Sequence, residues 1–209
     1  SVPKVLEYLA LFQSKSRRVL IKTSPLLDLK YCLNKIDFIT EIHIVAVKNE
    51  VKEVLLLIDF SLTKNSPILK AVNLESGQCT FESQLTFANP TPSISQPKTY
   101  LYEPNAAIMK SQLFGELSLR FKLSAIAQNT HLFTSDELID FPGRRFKIKS
   151  VFSPKSKQIK KNIPNLKSNV SCRNYPLKPE QVKTKYKLKD GGQRYTFFTT
   201  DFKNQKIVL

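Results

Sequence analysis

Glycine, histidine, cysteine and, in its last third, acid are what this 209-residue chain has little of, and tryptophan is absent. The five glycines, Gly77, Gly115, Gly143, Gly191 and Gly192, form neither GxGxxG nor GxxxxGK(S/T). None sits between an expected strand and helix in a phosphate-cradling arrangement, which excludes a self-contained cofactor loop. Cys32, Cys79 and Cys172 are odd in number, far apart and without a CxxC pair, and only two histidines are at hand. Neither a disulfide frame nor a structural zinc site is encoded, and the thiols read as reduced and half-buried. No uncharged apolar run reaches the roughly 18 residues of a membrane span and no basic-then-apolar leader opens the sequence, so a cytoplasmic protein is expected. Asn169-Val170-Ser171 fits a glycosylation acceptor, a chance match in that setting. What is present, 41% hydrophobic residues, suffices for a core in one or two domains and rules out global disorder.

The shortage of acid is local. Residues 1–140 hold 15 Lys+Arg against 14 Asp+Glu, whereas residues 141–209 hold 18 against 3, so a net charge of +15 out of +16 sits in the last third. Between Asp140 and Glu180 there is no acidic residue. Self-repulsion on that scale is relieved by a polyanionic partner, and a nucleic acid backbone is the first to consider, because each neutralised phosphate releases a counterion. A basic face kept only for solubility would not need acids removed over so long a window.

Along the chain, Val2, Val5, Leu6, Leu9 and Phe12 fall at helical spacing behind Ser1 and Pro3, and predict a first helix of about three turns. Val19-Leu20-Ile21 reads as a strand, Thr23-Ser24-Pro25 as a turn, and Leu26, Leu29, Leu33 and Ile36 as a helical stripe. Residues 41–48 and 51–60 read as two strands, antiparallel because Asn49-Glu50 leaves no room for a crossover. Helix, strand, helix, strand, antiparallel strand is how a doubly wound sheet often ends, and these faces need neighbours that about 60 residues do not supply. A missing front half of that domain is therefore expected.

Residues 65–98 hold one expected strand, 78–87, and a proline- and serine-rich loop over 89–98. Asn105 is placed to cap a helix whose stripe is Ala106, Met109, Leu113, Leu117 and Phe121, and short strands are expected at 123–127 and 131–133. This makes a small α+β unit of ferredoxin-like type. The basic third begins at the Phe141-Pro142-Gly143 turn. Residues 144–151 form a strand with Phe146 and Ile148 on one face and Arg145, Lys147 and Lys149 on the other. There follow a lysine-rich helix (154–163), a strand (168–172), a helix (179–188) stopped by Asp190-Gly191-Gly192, and a hairpin of 195–200 with 206–209.

His43 and His131 have no nucleophile tied to them by pattern, and a lone histidine in a strand is more often structural. Asp136, Glu137 and Asp140 match no metal loop, so no metal is expected. The strongest feature is cations interleaved with aromatics. The candidate RNA contacts are Arg144, Arg145, Lys147, Lys149, Lys155, Lys157, Lys160, Lys161, Arg173, Tyr175, Lys183, Lys185, Lys187, Lys189 and Arg194. Cations hold phosphates while a tyrosine stacks on an exposed base. Tyr186 reads as a core residue; for Tyr175 and Tyr195 base stacking and core packing stand as equal alternatives.

Several phrases together, LIKTSPLLD at 20–28, EIHIVAVKNEVKE at 41–53, YEPNAAI at 102–108, NTHLFTS at 129–135, FPGR at 141–144 and LKDGG at 188–192, carry a resemblance. The chain resembles the C-terminal portion of a bacterial family, common in Bacteroidetes, of class I S-adenosylmethionine-dependent methyltransferase-like proteins with ferredoxin-like and THUMP-like domains. The resemblance implies a Rossmann-like methyltransferase sheet edge at 1–64, a ferredoxin-like domain at 65–141 and a basic THUMP-like domain at 142–209. It also implies that the cofactor loop and catalytic Asp-Pro motif lie upstream of Ser1. S-adenosylmethionine would then serve the full-length protein, with none bound by this chain and no catalytic residue in it. The implied role is recognition of RNA, tRNA above all; the alternative is a non-catalytic basic module that docks an acidic protein or ribosomal surface.

Overall fold

Ile42, Ile44 and Ala46 alternate along one strand and Val54, Leu56 and Ile58 along the next, and none of the six is more than 1% exposed. A period of two with one face fully buried builds a half-covered sheet. The computed structural model describes residues 5–62, 66–85 and 90–209. They fall into two compact units, Ser1–Pro90 with Asn105–Glu116, and Thr91–Pro104 with Leu117–Leu209.

The first unit begins with α1 (Val5–Lys15), none of whose side chains is fully buried, and β1 (Arg18–Thr23). The expected opening at Ser1 and Pro3 lies outside the described residues. Helix α2 (Leu29–Lys35) is capped by Asp28, whose carboxylate accepts from the Lys30 and Tyr31 amides at 2.9 and 3.3 Å. Strands β2 (Ile39–Val47) and β3 (Glu50–Asp59) form the expected antiparallel hairpin. Lys48 and Asn49 both adopt positive φ, 49° and 65°, the handedness that matches a two-residue turn to the strand twist. Strands β4 (Ile68–Leu74) and β5 (Phe81–Gln84) complete a sheet of order β1-β3-β2-β4-β5, in which β1, β2 and β4 run one way and β3 and β5 the other.

Strand β4 was not anticipated from the sequence, and β5 is shorter than the expected 78–87 segment, whose Phe87 lies outside the described residues. After β6 (Tyr100–Pro104), helix α3 (Ala106–Ser111) packs on β2, β3 and β4. Its cap is Asn105, whose side chain accepts from the Ile108 amide at 3.1 Å. The single helix expected over 106–121 is two, α3 and α4 (Phe114–Arg120), because Gln112 turns left-handed at φ 59°. The unit boundary falls inside α4.

In the second unit, β6, β7 (Ser124–Ala125), β8 (Phe133–Ser135) and β9 (Gly143–Lys147) form an antiparallel sheet of order β7-β8-β6-β9. Gly143 is required at the start of β9: a Cβ there would strike the Glu103 carbonyl oxygen. A second sheet, order β10-β11-β12, contains β10 (Asn169–Arg173), β11 (Tyr195–Thr200) and β12 (Lys206–Val208). Strands β10 and β11 are parallel and are linked by a crossover carrying α6 (Pro179–Tyr186), while α5 (Ser156–Asn162) precedes β10. The whole is mixed α/β with six α-helices among the described residues.

Candidate nucleic-acid interface

The sheet β10-β11-β12 is apolar on both faces, and each face has its own cover. Phe198 and Val208, fully buried, meet Ile159 and Ile163 from α5 and Val182 and Tyr186 from α6, with Val170 and Cys172 packed alongside. Phe197 and Ile207 point the other way, to Leu101, Ile126 and Leu132, with Phe146 and Ile148 against them. Helices α5 and α6 therefore lie on the same face, and a single bond, Tyr186 Oη donating to the Pro154 carbonyl at 2.7 Å, ties the end of α6 to the start of α5. With Ile159 and Ile163 facing in, Lys157, Lys160 and Lys161 on α5 face out, and Lys155 at its N-cap is exposed as well. With Val182 and Tyr186 facing in, Lys185 and the left-handed C-cap Lys187 face out on α6. Lys187, not the Asp190-Gly191-Gly192 run, ends this helix.

The cations divide three ways. Lys155, Lys157, Lys160, Lys161, Lys185, Lys187, Lys189 and Arg194 are exposed, and among the described residues none has a carboxylate partner. They belong to the helical layer and to the turn that follows it. Arg145 and Lys147 alternate with Phe146 on β9 and so project from the strand's opposite face, away from β10-β11-β12, and Lys149 is exposed just past the strand. Arg145 is also engaged, with Asp140 at 3.3 Å. The basic third is thus not one positive surface: β9 and the helical layer present cations on different sides of the sheet.

The third group is spent internally. Glu103, 3% exposed, accepts from Arg144 Nε at 2.7 Å and from Arg173 Nε and Nη2 at 2.9 and 2.6 Å. A buried carboxylate needs this compensation, and two guanidinium forks supply it. Lys183 is held by Asp190 at 2.8 Å and Glu180 at 3.9 Å, and the Asp190 bond raises its pKa. Sequence reasoning grouped Arg144, Arg173 and Lys183 with the free cations because their partners are distant or lie across a turn.

Of the tyrosines, Tyr186 is buried as expected and stacks on Phe198 at 5.7 Å. Tyr175 packs edge-on to Phe198 at 5.5 Å, and burial pushes its pKa up to about 12, so of its two readings core packing holds. Tyr195 is 42% exposed but lies 5.0 Å from Phe146 with the Arg144 guanidinium over its ring at 5.1 Å. Burial raises the Cys172 thiol to about 11, so it packs rather than reacts. Lys167, which was left out of the candidate contacts, lies against Gly191: a Cβ on that glycine would be 3.0 Å from Lys167 Cε. The Lys167–Lys189 bridge between distant segments helps to bring them together.

Elsewhere, Thr23 donates to the Val54 carbonyl at 2.9 Å and Ser24 accepts from the Leu26 amide at 3.2 Å, so the Thr23-Ser24-Pro25 turn is structural. His43 Nε2 sits 2.7 Å from Glu41, which Lys70 also binds at 2.9 Å. His131 has its pKa lowered by burial first and by the Arg173 charge second. Among the described residues no group of three or more His, Cys, Asp or Glu could hold a metal ion, and no helix is long and apolar enough to cross a membrane. A cavity of about 310 Å³ in the first unit is lined by Ile21, Leu27, Ile36 and Leu56 with Glu7, Thr23, Tyr31 and Lys35 among them.

Residues 100–142 match a ferredoxin-like domain family and residues 143–209 a THUMP domain-like family. A crystal structure described as that of a "putative methyltransferase" from Porphyromonas gingivalis W83 superposes with a TM-score of 0.87 at 28% identity, over 99% of this chain and 54% of that one. The chain thus spans about half the length of that protein. No curated protein matches it. A ferredoxin-like domain followed by a THUMP-like domain, on a fold shared with the Porphyromonas protein, is therefore what residues 100–209 of this chain contain.

Proposed function

We propose that the chain is the RNA-recognition portion of an S-adenosylmethionine-dependent RNA methyltransferase, with tRNA as the RNA. The observation that carries this is the helical layer, where Lys157, Lys160, Lys161, Lys185 and Lys187 are exposed with no acid paired to them in a THUMP-like domain. An arrangement of point charges on two adjacent helices suits phosphates spaced along a strand, and needs no base contact to bind. The likeness to the Porphyromonas protein, a "putative methyltransferase", supports methyl transfer as the activity of the complete molecule. The order β1-β3-β2, with β3 antiparallel between two strands of like direction, supports residues 1–64 as the closing edge of a doubly wound sheet whose cofactor loop lies outside this sequence. Residues 65–141 and 142–209 would be the ferredoxin-like and THUMP-like parts of the recognition end.

Competition distinguishes this reading from docking on an acidic protein or ribosomal surface. Labelled tRNA bound to the chain should be displaced by unlabelled tRNA at much lower phosphate concentration than by heparin or polyglutamate. Equal displacement by all three polyanions would remove the RNA assignment and leave a generic basic docking face.

A further inference from the structure

We infer that the turn 190–194 is a phosphate-binding nest, with Lys167, Lys189 and Arg194 as its cationic rim, and that it takes one phosphoryl group of the bound RNA. This rests on the RNA-recognition reading and assigns it a specific contact. The backbone of the turn is held by the segment 166–169. Lys189 donates its amide to the Leu166 carbonyl at 2.7 Å and accepts from the Ser168 amide at 2.9 Å. Asn169 then gathers the carbonyls beyond: its Nδ2 donates to Gly192 O at 2.9 Å and Arg194 O at 3.1 Å, and its amide donates to Arg194 O at 2.9 Å. The Gly192 and Arg194 carbonyls are thereby drawn to Asn169, while among the described residues the amides of Gly191, Gly192 and Gln193 meet no protein acceptor. Gly191 and Gly192 adopt φ of 113° and 81°, which L side chains rarely reach, so the geometry depends on glycine twice in succession. Successive unpaired amides in such a turn form an anion-binding concavity.

The charges around the turn favour an anion. Lys167 lies close enough that a Cβ at 191 would be 3.0 Å from its Cε and 3.7 Å from its Nζ. Arg194 has one guanidinium nitrogen on the Asn162 carbonyl at 3.2 Å and its other donors unassigned, and Lys189 is exposed. The nearest acid is Asp190, whose Oδ2 is already taken by Lys183 Nζ at 2.8 Å; Glu180 faces the same lysine at 3.9 Å. The local balance of charge is positive.

The test is an amide NMR titration of the whole chain at constant ionic strength, with inorganic phosphate, and with one short RNA carrying either a 5′-phosphate or a 5′-hydroxyl. Saturable shifts concentrated on Gly191, Gly192 and Gln193 are expected. Dependence on the 5′-phosphate would place a terminal monoester in the nest, and independence an internal diester. Gly191→Ala should weaken phosphate binding about tenfold by disturbing the amides and Lys167, and Lys167→Gln, which leaves the backbone intact, several-fold. If RNA binds by anisotropy while the three amides do not move, the nest is wrong and the RNA reading stands. If phosphate moves them while RNA does not bind, the nest stands and the RNA reading falls.

Discussion

The two halves of the charge distribution are handled by opposite means. In the first unit several cations have an acid at hand: Lys22 with Glu53 at 3.1 Å, Lys48 with Glu75 at 3.1 Å, Lys52 with Glu50 at 2.7 Å, Lys70 with Glu41 at 2.9 Å, and Arg18 with Asp59 at 2.6 Å. In the basic third Arg144 and Arg173 are taken by Glu103, an acid from outside it, and Lys183 by Asp190, while among the described residues the exposed lysines of the helical layer have no acid paired to them. Exposed pairs of the first kind add little stability, so their value is a neutral surface. What the contrast teaches is that net charge does not locate an interface; charge left over after internal pairing does.

The largest effect should come from breaking the support under the helical layer. Phe198→Ala removes a fully buried ring that touches both Tyr175 and Tyr186, and should cost about 3–5 kcal/mol in denaturant unfolding. Glu103→Gln should cost about 3 kcal/mol, because it strands two guanidinium groups that share one buried carboxylate, though both arginines keep some solvent. A loss below about 0.5 kcal/mol would show that the cluster is as weak as a surface pair. Binding gives the next contrast: replacing Lys22, Lys48 and Lys52 by glutamine should leave RNA affinity unchanged, since each is already neutralised. RNA anisotropy on that triple variant checks the comparison from its neutral side.

The smallest effect is one of pH. Asp59 has its carboxyl held well below its ordinary value of about 3.8, by the Ser61 hydroxyl foremost and then by Arg18. A depressed acid contributes stability above the unfolded value and loses it as pH falls toward the folded one. The protection factors of the β1 and β3 amides, corrected for intrinsic exchange, should therefore fall below about pH 4, and Asp59→Asn should flatten that dependence.

Much of this arrangement was legible in the sequence where the signal is local. Asn105 announces its helix through an N-cap side chain, and residues 195–200 form the expected strand because aromatic and β-branched residues run uninterrupted there. The segment 68–74 does not read as a strand because its one buried face, Leu69, Ala71 and Asn73, includes a polar residue, and Asn73 is satisfied by the Asn49 amide 24 positions away. The break at Gln112 carries no glycine or proline. For the site, the excess of cations was visible but their allocation was not. Glu103 meets arginines 41 and 70 residues away, and β9 pairs with β6 rather than with the strands that follow it, so the division of the cations between two sides is a product of tertiary structure.

The account stands or falls on the α5 lysines gripping phosphates. The direct measurement is the slope of log affinity against log salt for a single-stranded RNA, compared between the native chain and the Lys157→Gln, Lys160→Gln, Lys161→Gln variant. About five phosphate contacts give a slope of roughly −3 to −4 for the native chain, and losing three should bring it to roughly −1.5. An unchanged slope in a folded variant would contradict the assignment of the helical layer as the RNA-binding surface.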